Sequence, residues 1–230
     1  MKKLQSIKSK LIAPILGVLL LLVWELADIF GWLPQFIIPA PSAIFRALVA
    51  QREALFANSL ITLTQALIGL GIGIVIAFVL AVMMDRMSFV RRAIYPYLVV
   101  SQTIPTVAIA PILVLWLGYG MLPKIVLVIL TTLFPIVINI LEGFNSVNKE
   151  SIDLLSLMGA NYWQILIHVK LPTSLSYFFS GLKISVSYAF VASVIAEWLG
   201  GFEGLGVYMI RAKNAFSYPN MFAAIVVVSL

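Results

Sequence analysis

The sequence contains no cysteine and a single histidine, His168. Disulfides, iron–sulfur clusters and cysteine-ligated zinc are thereby excluded, and a single histidine gives poor support to a histidine-rich metal site or a conventional Ser-His-Asp hydrolase. Charge is scarce as well: 10% of the 230 residues are charged against 62% hydrophobic, far from the balance of a water-soluble domain. The charges lean basic, with a net of +6. No basic run interleaves with aromatics in a polar module, so the excess reads as membrane topology and contact with anionic headgroups, and no nucleic-acid partner is expected. A G-x-x-x-x-G-K-[ST] phosphate loop is also missing. The chain is expected to bind no cofactor and to hydrolyse no ATP alone.

What is present is a series of apolar runs of membrane-spanning length. A hydrocarbon core takes roughly 20 apolar residues per helix, and runs of that kind lie near 11–30, 60–84, 94–117, 122–141 and 173–198. A sixth begins at Met221 or Phe222 and has risen only about 14 Å when it reaches Leu230, so the last helix is expected to be incomplete. The expected fold is all-α: a polytopic membrane helix bundle, residues 1–230 forming one transmembrane domain with about six transmembrane helices. Lys2, Lys3, Lys8 and Lys10 precede the first run. That run is too long for a cleaved signal and no A-x-A site follows, so it reads as an anchor. Basic residues gather on the cytoplasmic side. A cytoplasmic N-terminus places Arg86, Arg91, Arg92, Lys149 and Lys170 inside, and Arg46, Arg52, Lys124, Arg211 and Lys213 outside.

Several features inside these runs bear on packing and passage. Between the first two runs, Pro39 and Pro41 stop a helix and Ser42 is placed to cap a short new one. Gly69, Gly73, Ala77 and Ala81 recur every four residues and put small side chains on one stripe, which lets a helix of this chain or of a second copy approach closely. Pro105 and Pro111 each remove a helical hydrogen bond in the third run, with Gln102 and Thr103 beside the first. Such a kink either walls a pathway or only shapes packing. Gly118-Tyr119-Gly120 supplies a turn and Pro123 starts the fourth run. Lys183 and Glu197, in the fifth, are costly in lipid. They share a face to within about 40° but stand roughly 21 Å apart, so they cannot pair. Each either lines a polar route or rests at its nearer interface.

Between the fourth and fifth runs lies Ser151 to Pro172, a polar helix, bend and helix. Ser151 is placed to cap it, Asp153 suits the positive end of its dipole, and Gly159 marks the bend. Leu171-Pro172 is expected to restart a helix. His168, beside Lys170, reads as an interfacial residue.

Asp153, Gly159 six residues later, Val169 and Leu171-Pro172 resemble the EAA loop of bacterial ABC importer permeases: EAA, three residues, G, nine residues, I, one residue, LP. Asp-Leu-Leu stands for the opening triplet and Val169 for isoleucine. The segments IPAPSAIFRAL, QTIPTVAIAPILVLWLGYG and AEWLGGFEGLGVYM are similar, in the expected order, to those of the subgroup importing sulfonates, nitrate, taurine and thiamine-precursor pyrimidines. The resemblance implies a multi-pass subunit of the bacterial cytoplasmic (inner) membrane, paired with a second permease as a homodimer. Its implied partners are cytoplasmic ATPase subunits, which use ATP and Mg, and an extracytoplasmic solute-binding protein. Within the coupling region 151–168, Asp153, Leu154, Leu155, Gly159 and Ala160 would then couple to the ATPase. Gln102, Thr103, Pro105, Lys183 and Glu197 would border the translocation pathway. An ion-coupled secondary transporter, suggested by Lys183 and Glu197, is the alternative from the residues alone, and an intramembrane enzyme is a poorer one.

Overall fold

Long uncharged runs become long helices. The computed structural model describes residues 2–32, 34 and 37–229, with side chains described from residue 14 onward. The N-terminal lysine side chains used for orientation lie outside that set. In chain order the described residues form α1 (Lys2–Ile29), α2 (Pro41–Ala50), α3 (Arg52–Arg86), α4 (Ser88–Ser101), α5 (Thr106–Leu117), α6 (Leu122–Asn145), α7 (Lys149–Leu157), α8 (Tyr162–Ile165), a π turn (Leu166–Lys170), α9 (Leu171–Gly200), α10 (Leu205–Asn214) and α11 (Tyr218–Ser229), with no strand among them. The all-α class is as expected. Helices α3 and α6 and the continuous run Tyr162–Gly200 are long and apolar enough to cross a membrane, and the bent pair α4 and α5 is a fourth if it counts as one span. The expected first and sixth spans fall on α1 and α11. Helix α11 begins at Tyr218, ahead of the expected Met221 or Phe222, with Pro219 in its first turn, where a proline fits.

By packing, the chain divides into two compact units, Met1–Ser59 with Val207–Leu230 and Leu60–Gly206. In the first unit α2 packs along α11. Pro41 opens α2, and the next donor, the Ser42 N–H, reaches Glu25 Oε2 at 3.0 Å. A carboxylate from α1 therefore caps the positive end of α2. Ser42 is inside the helix, and the cap position is Ala40, so the expected Ser42 cap is replaced. Trp24 meets Phe222 edge to face, their centroids 6.5 Å apart.

In the second unit α6 and α9 pack against each other extensively. Inside a membrane this contact rests on van der Waals fit, which favours small side chains. A Cβ on Gly143 of α6 would stand 2.5 Å from the Ser174 Cβ of α9, closer than atoms tolerate. The stripe on α3 meets α6 of the same chain in the same way. A Cβ on Gly69 would lie 2.6 Å from the Val128 Cβ, and one on Gly73 2.7 Å from the Thr132 Oγ1. Ala77 and Ala81 are fully buried. Hydroxyls in this core bond to carbonyls of their own helix or of its neighbour: Thr132 Oγ1 donates to the Val128 carbonyl at 2.8 Å and Ser185 Oγ of α9 to the Thr132 carbonyl of α6 at 3.1 Å.

Two expectations about helix continuity are corrected. The third run breaks between Ser101 and Thr106, and its halves meet at 104°. Pro105 lacks an N–H and drives Ile104 out of the helical region, so α4 closes with tight turns, Gln102 N–H to the Val99 carbonyl and Thr103 N–H to the Val100 carbonyl. Pro111, inside α5, does not break it. Conversely, α9 does begin at Leu171 with Pro172 in its first turn, but it is no separate helix, because it continues the run from Tyr162 without a break. A π turn, closed by the Leu171 N–H on the Leu166 carbonyl, carries the backbone past the proline. The turn at Gly118 to Gly120 and Pro123 at the start of α6 are as expected.

Candidate functional site

The elbow between α6 and α9 is built from local signals. Asn148 caps α7, its side chain accepting from the Glu150 N–H at 3.0 Å, so Ser151 lies in the first turn and not at the cap. None of the residues of α7 is buried. Leu154 is 59% exposed, Leu157 87% and Met158 75%, an apolar stripe at i, i+3 and i+4 that none of the described residues covers. Asp153 is exposed beside them. The helix ends in a Schellman turn, the Ala160 N–H bonding to the Leu155 carbonyl at 2.9 Å and the Gly159 N–H to the Ser156 carbonyl at 3.0 Å. That turn needs a left-handed residue, and Gly159 has φ +85 with open space where a Cβ would go. Asn161 and Gln164 then cap each other's backbone at 2.9 and 2.8 Å, a capping box that starts the long helix.

A second feature lies at the α4–α5 break. A cavity of about 480 Å³ opens there, lined by Ser101, Gln102, Pro105 and Thr106 from the break and by Thr131 of α6 and Tyr188 of α9 among others. No charged side chain lines it. Ser101 and Thr131 spend their hydroxyl protons on the Leu98 and Val128 carbonyls, which leaves them as acceptors. Among the described residues the Gln102 amide and the Tyr188 hydroxyl take no hydrogen-bond partner. Thr103, expected at the same wall, turns its hydroxyl back to the Val100 carbonyl at 2.8 Å and does not line the cavity.

Residues 69–230 match the profile of a family described as binding-protein-dependent transport system inner membrane component. The chain belongs to that family. The permease is 36% identical over 221 residues to a probable ABC transporter permease protein of Haemophilus influenzae, covering 96% of this chain and 90% of the relative. It is 38% identical to the formylaminopyrimidine transport permease protein ThiX of Halalkalibacterium halodurans, over 92% of this chain and 85% of that one. With the riboflavin transport system permease protein RibX of Chloroflexus aurantiacus it shares 33% over 94% and 82%. Among solved structures, a crystal structure of an amino acid ABC transporter with histidines superposes with a TM-score of 0.65 over 80% of this chain and 88% of that one, at 14% identity, and shows the same fold. The chain is therefore an inner-membrane ABC importer permease for a small solute. In such importers nucleotide binding falls to partner ATPases, and a substrate-binding protein completes the system.

The other expected pathway residues of the permease part company. Lys183 is exposed on α9, while Glu197 is 1% exposed. The Glu197 carboxylate accepts from Thr62 Oγ1 at 2.8 Å and from the Gly206 N–H at 2.7 Å, and Thr62 Oγ1 in turn accepts from the Leu205 N–H at 2.9 Å. Glu197 thus binds the first residues of α10 to α3. A Cβ on Gly204 would collide with this carboxylate, and one on Gly206 would stand 2.5 Å from the Val194 carbonyl oxygen, which explains the two glycines of the GLG segment. Sequence reasoning missed Tyr188 and Thr131 at the cavity, because nothing local marks which face of a uniformly apolar helix turns toward a break in another.

Proposed function

We propose that the permease moves a small, uncharged, nitrogen-containing heteroaromatic solute into the cell by alternating access, driven by separate ATPase subunits. It works as a homodimer with its N-terminus and α7 in the cytoplasm, receiving solute from an external binding protein. The observation that carries the coupling half is the bare Leu154, Leu157 and Met158 stripe beside Asp153, ending at Gly159. An uncovered apolar helix face of this kind is a docking surface, and at this family position the partner that fits is a groove on the ATPase.

The solute class follows from the cavity's chemistry. A neutral lining with one aromatic ring, an amide and several hydroxyl acceptors suits a flat, hydrogen-bonding ring and offers no cation to a sulfonate or nitrate. The relatives at 38% and 33% identity carry names for formylaminopyrimidine and riboflavin, against 26% for a taurine permease of Escherichia coli. In proteoliposomes holding the whole importer, ATP-dependent uptake of a labelled aminopyrimidine should exceed that of taurine by at least ~10-fold. Tyr188→Ala should lower that uptake about 10-fold by removing the stacking surface. Equal uptake of taurine, or a silent Tyr188→Ala, would remove the heteroaromatic reading.

A further inference from the structure

Asp85, the penultimate residue of α3, draws together two residues of the elbow. Lys170 Nζ donates to both its oxygens at 2.8 Å, and the Tyr162 hydroxyl donates to Oδ2 at 3.0 Å. The pair is largely covered, the Lys170 side chain 14% exposed and that of Asp85 8%. Arg86, next along α3, lies over the Tyr162 and Trp163 rings, 5.4 and 5.5 Å from their centroids. Tyr162 and Lys170 reach one carboxylate because of the π turn between them. Eight residues of regular α-helix advance about 800°, which leaves the ends some 80° apart. A π turn takes up one extra residue, so the eight advance about two full turns and both side chains fall on one face. The irregularity in the backbone is therefore what completes the ion pair.

From this geometry we infer that Asp85, Lys170, Tyr162 and Arg86 form a clasp that ties the elbow to the end of α3 and passes the movement of α7 into that helix. The proposal rests on the coupling reading of α7 given above. Helix α7 reaches the clasp through only the Schellman turn and the capping box, Met158 to Asn161, a short and fully hydrogen-bonded connection. Beyond the clasp, α3 packs closely on α6, where Gly69 and Gly73 leave room for the Val128 and Thr132 side chains. A push on α7 thus has a continuous, stiff route to α3, whereas an elbow released from Asp85 would turn on the proline-bearing π segment. Asp85, Lys170 and Tyr162 are positioning residues, since none faces the cavity at the α4–α5 break.

The test uses the complete importer in vesicles, with its ATPase subunits and binding protein, and reads solute taken up per ATP hydrolysed. Asp85→Asn keeps the shape of the side chain and removes its charge. It should leave the ATPase bound and its basal hydrolysis within about 2-fold of wild type, abolish the acceleration by loaded binding protein, and cut uptake per ATP by at least ~10-fold. Lys170→Met should do the same, and the double variant should be no worse than either single change, because both break one link. Tyr162→Phe, which spares the ion pair and any difficulty in folding, should lose about 3-fold. Wild-type uptake per ATP in these variants, with only a lowered unfolding temperature, would make the cluster a structural brace and overturn the inference. A wild-type preparation that binds no ATPase would strike instead at the coupling reading beneath it.

Discussion

Gly159→Trp is expected to abolish uptake, by ~100-fold or more, in a permease that still inserts and folds. Two effects combine at this position. The residue sits at φ +85, where an L side chain costs about 1–2 kcal/mol, so the turn that ends α7 is weakened. No described residue lies within 4 Å of where its Cβ would stand, so the helix bundle is expected to survive the change. The ring would stand at the end of the Leu154, Leu157 and Met158 stripe, on the surface proposed to meet the ATPase. Gly159→Asn separates the two effects. Asparagine tolerates the left-handed region and is small, so it should retain most of the uptake. Uptake normalised to permease in the membrane checks both variants, and normal transport by Gly159→Trp would exclude α7 as the coupling element.

Glu197→Ala should produce the largest loss of stability. It strips the acceptor from the Gly206 N–H and from the Thr62 hydroxyl, both buried, and opens a cavity in a packed site. The orphaned Gly206 N–H, the lost Thr62 contact and the void together cost about 3 kcal/mol or more. Glu197→Gln is milder, about 1–2 kcal/mol: its amide oxygen can serve the Gly206 N–H, and Thr62 can turn from donor to acceptor toward the amide nitrogen. Heating the detergent-solubilised variants and following the monodisperse fraction should rank wild type above Gln above Ala. Equal unfolding temperatures would mean that the carboxylate carries no structural load, and would return it to the pathway.

The elbow was the most legible part of the chain because its signals are local: an acidic first turn, a glycine where the helix must end, a proline in a following helix. The apolar runs that became α3, α6 and α9 were legible for the same reason, since lack of charge over some 20 residues has one meaning in a bilayer. What depended on distant partners was not. For Glu197 the sequence left a polar route or an interfacial rest open, and its partners, Thr62 and Gly206, are brought to it only by folding. The π turn at Leu166–Lys170 has no composition of its own, and Asp85, which pairs with its last residue, lies far back in the sequence. The proline at 105 announced a kink, but nothing local in the sequence gives its angle, 104°.

The most direct test of the account is to isolate the tagged permease from native membranes in mild detergent, identify the proteins that come with it and assay the complex for ATP hydrolysis. The account predicts two companions, an ATPase and a solute-binding protein, and hydrolysis that rises when the binding protein is loaded. A folded, monodisperse permease that takes up solute with no ATPase bound, on an ion gradient alone, would contradict it.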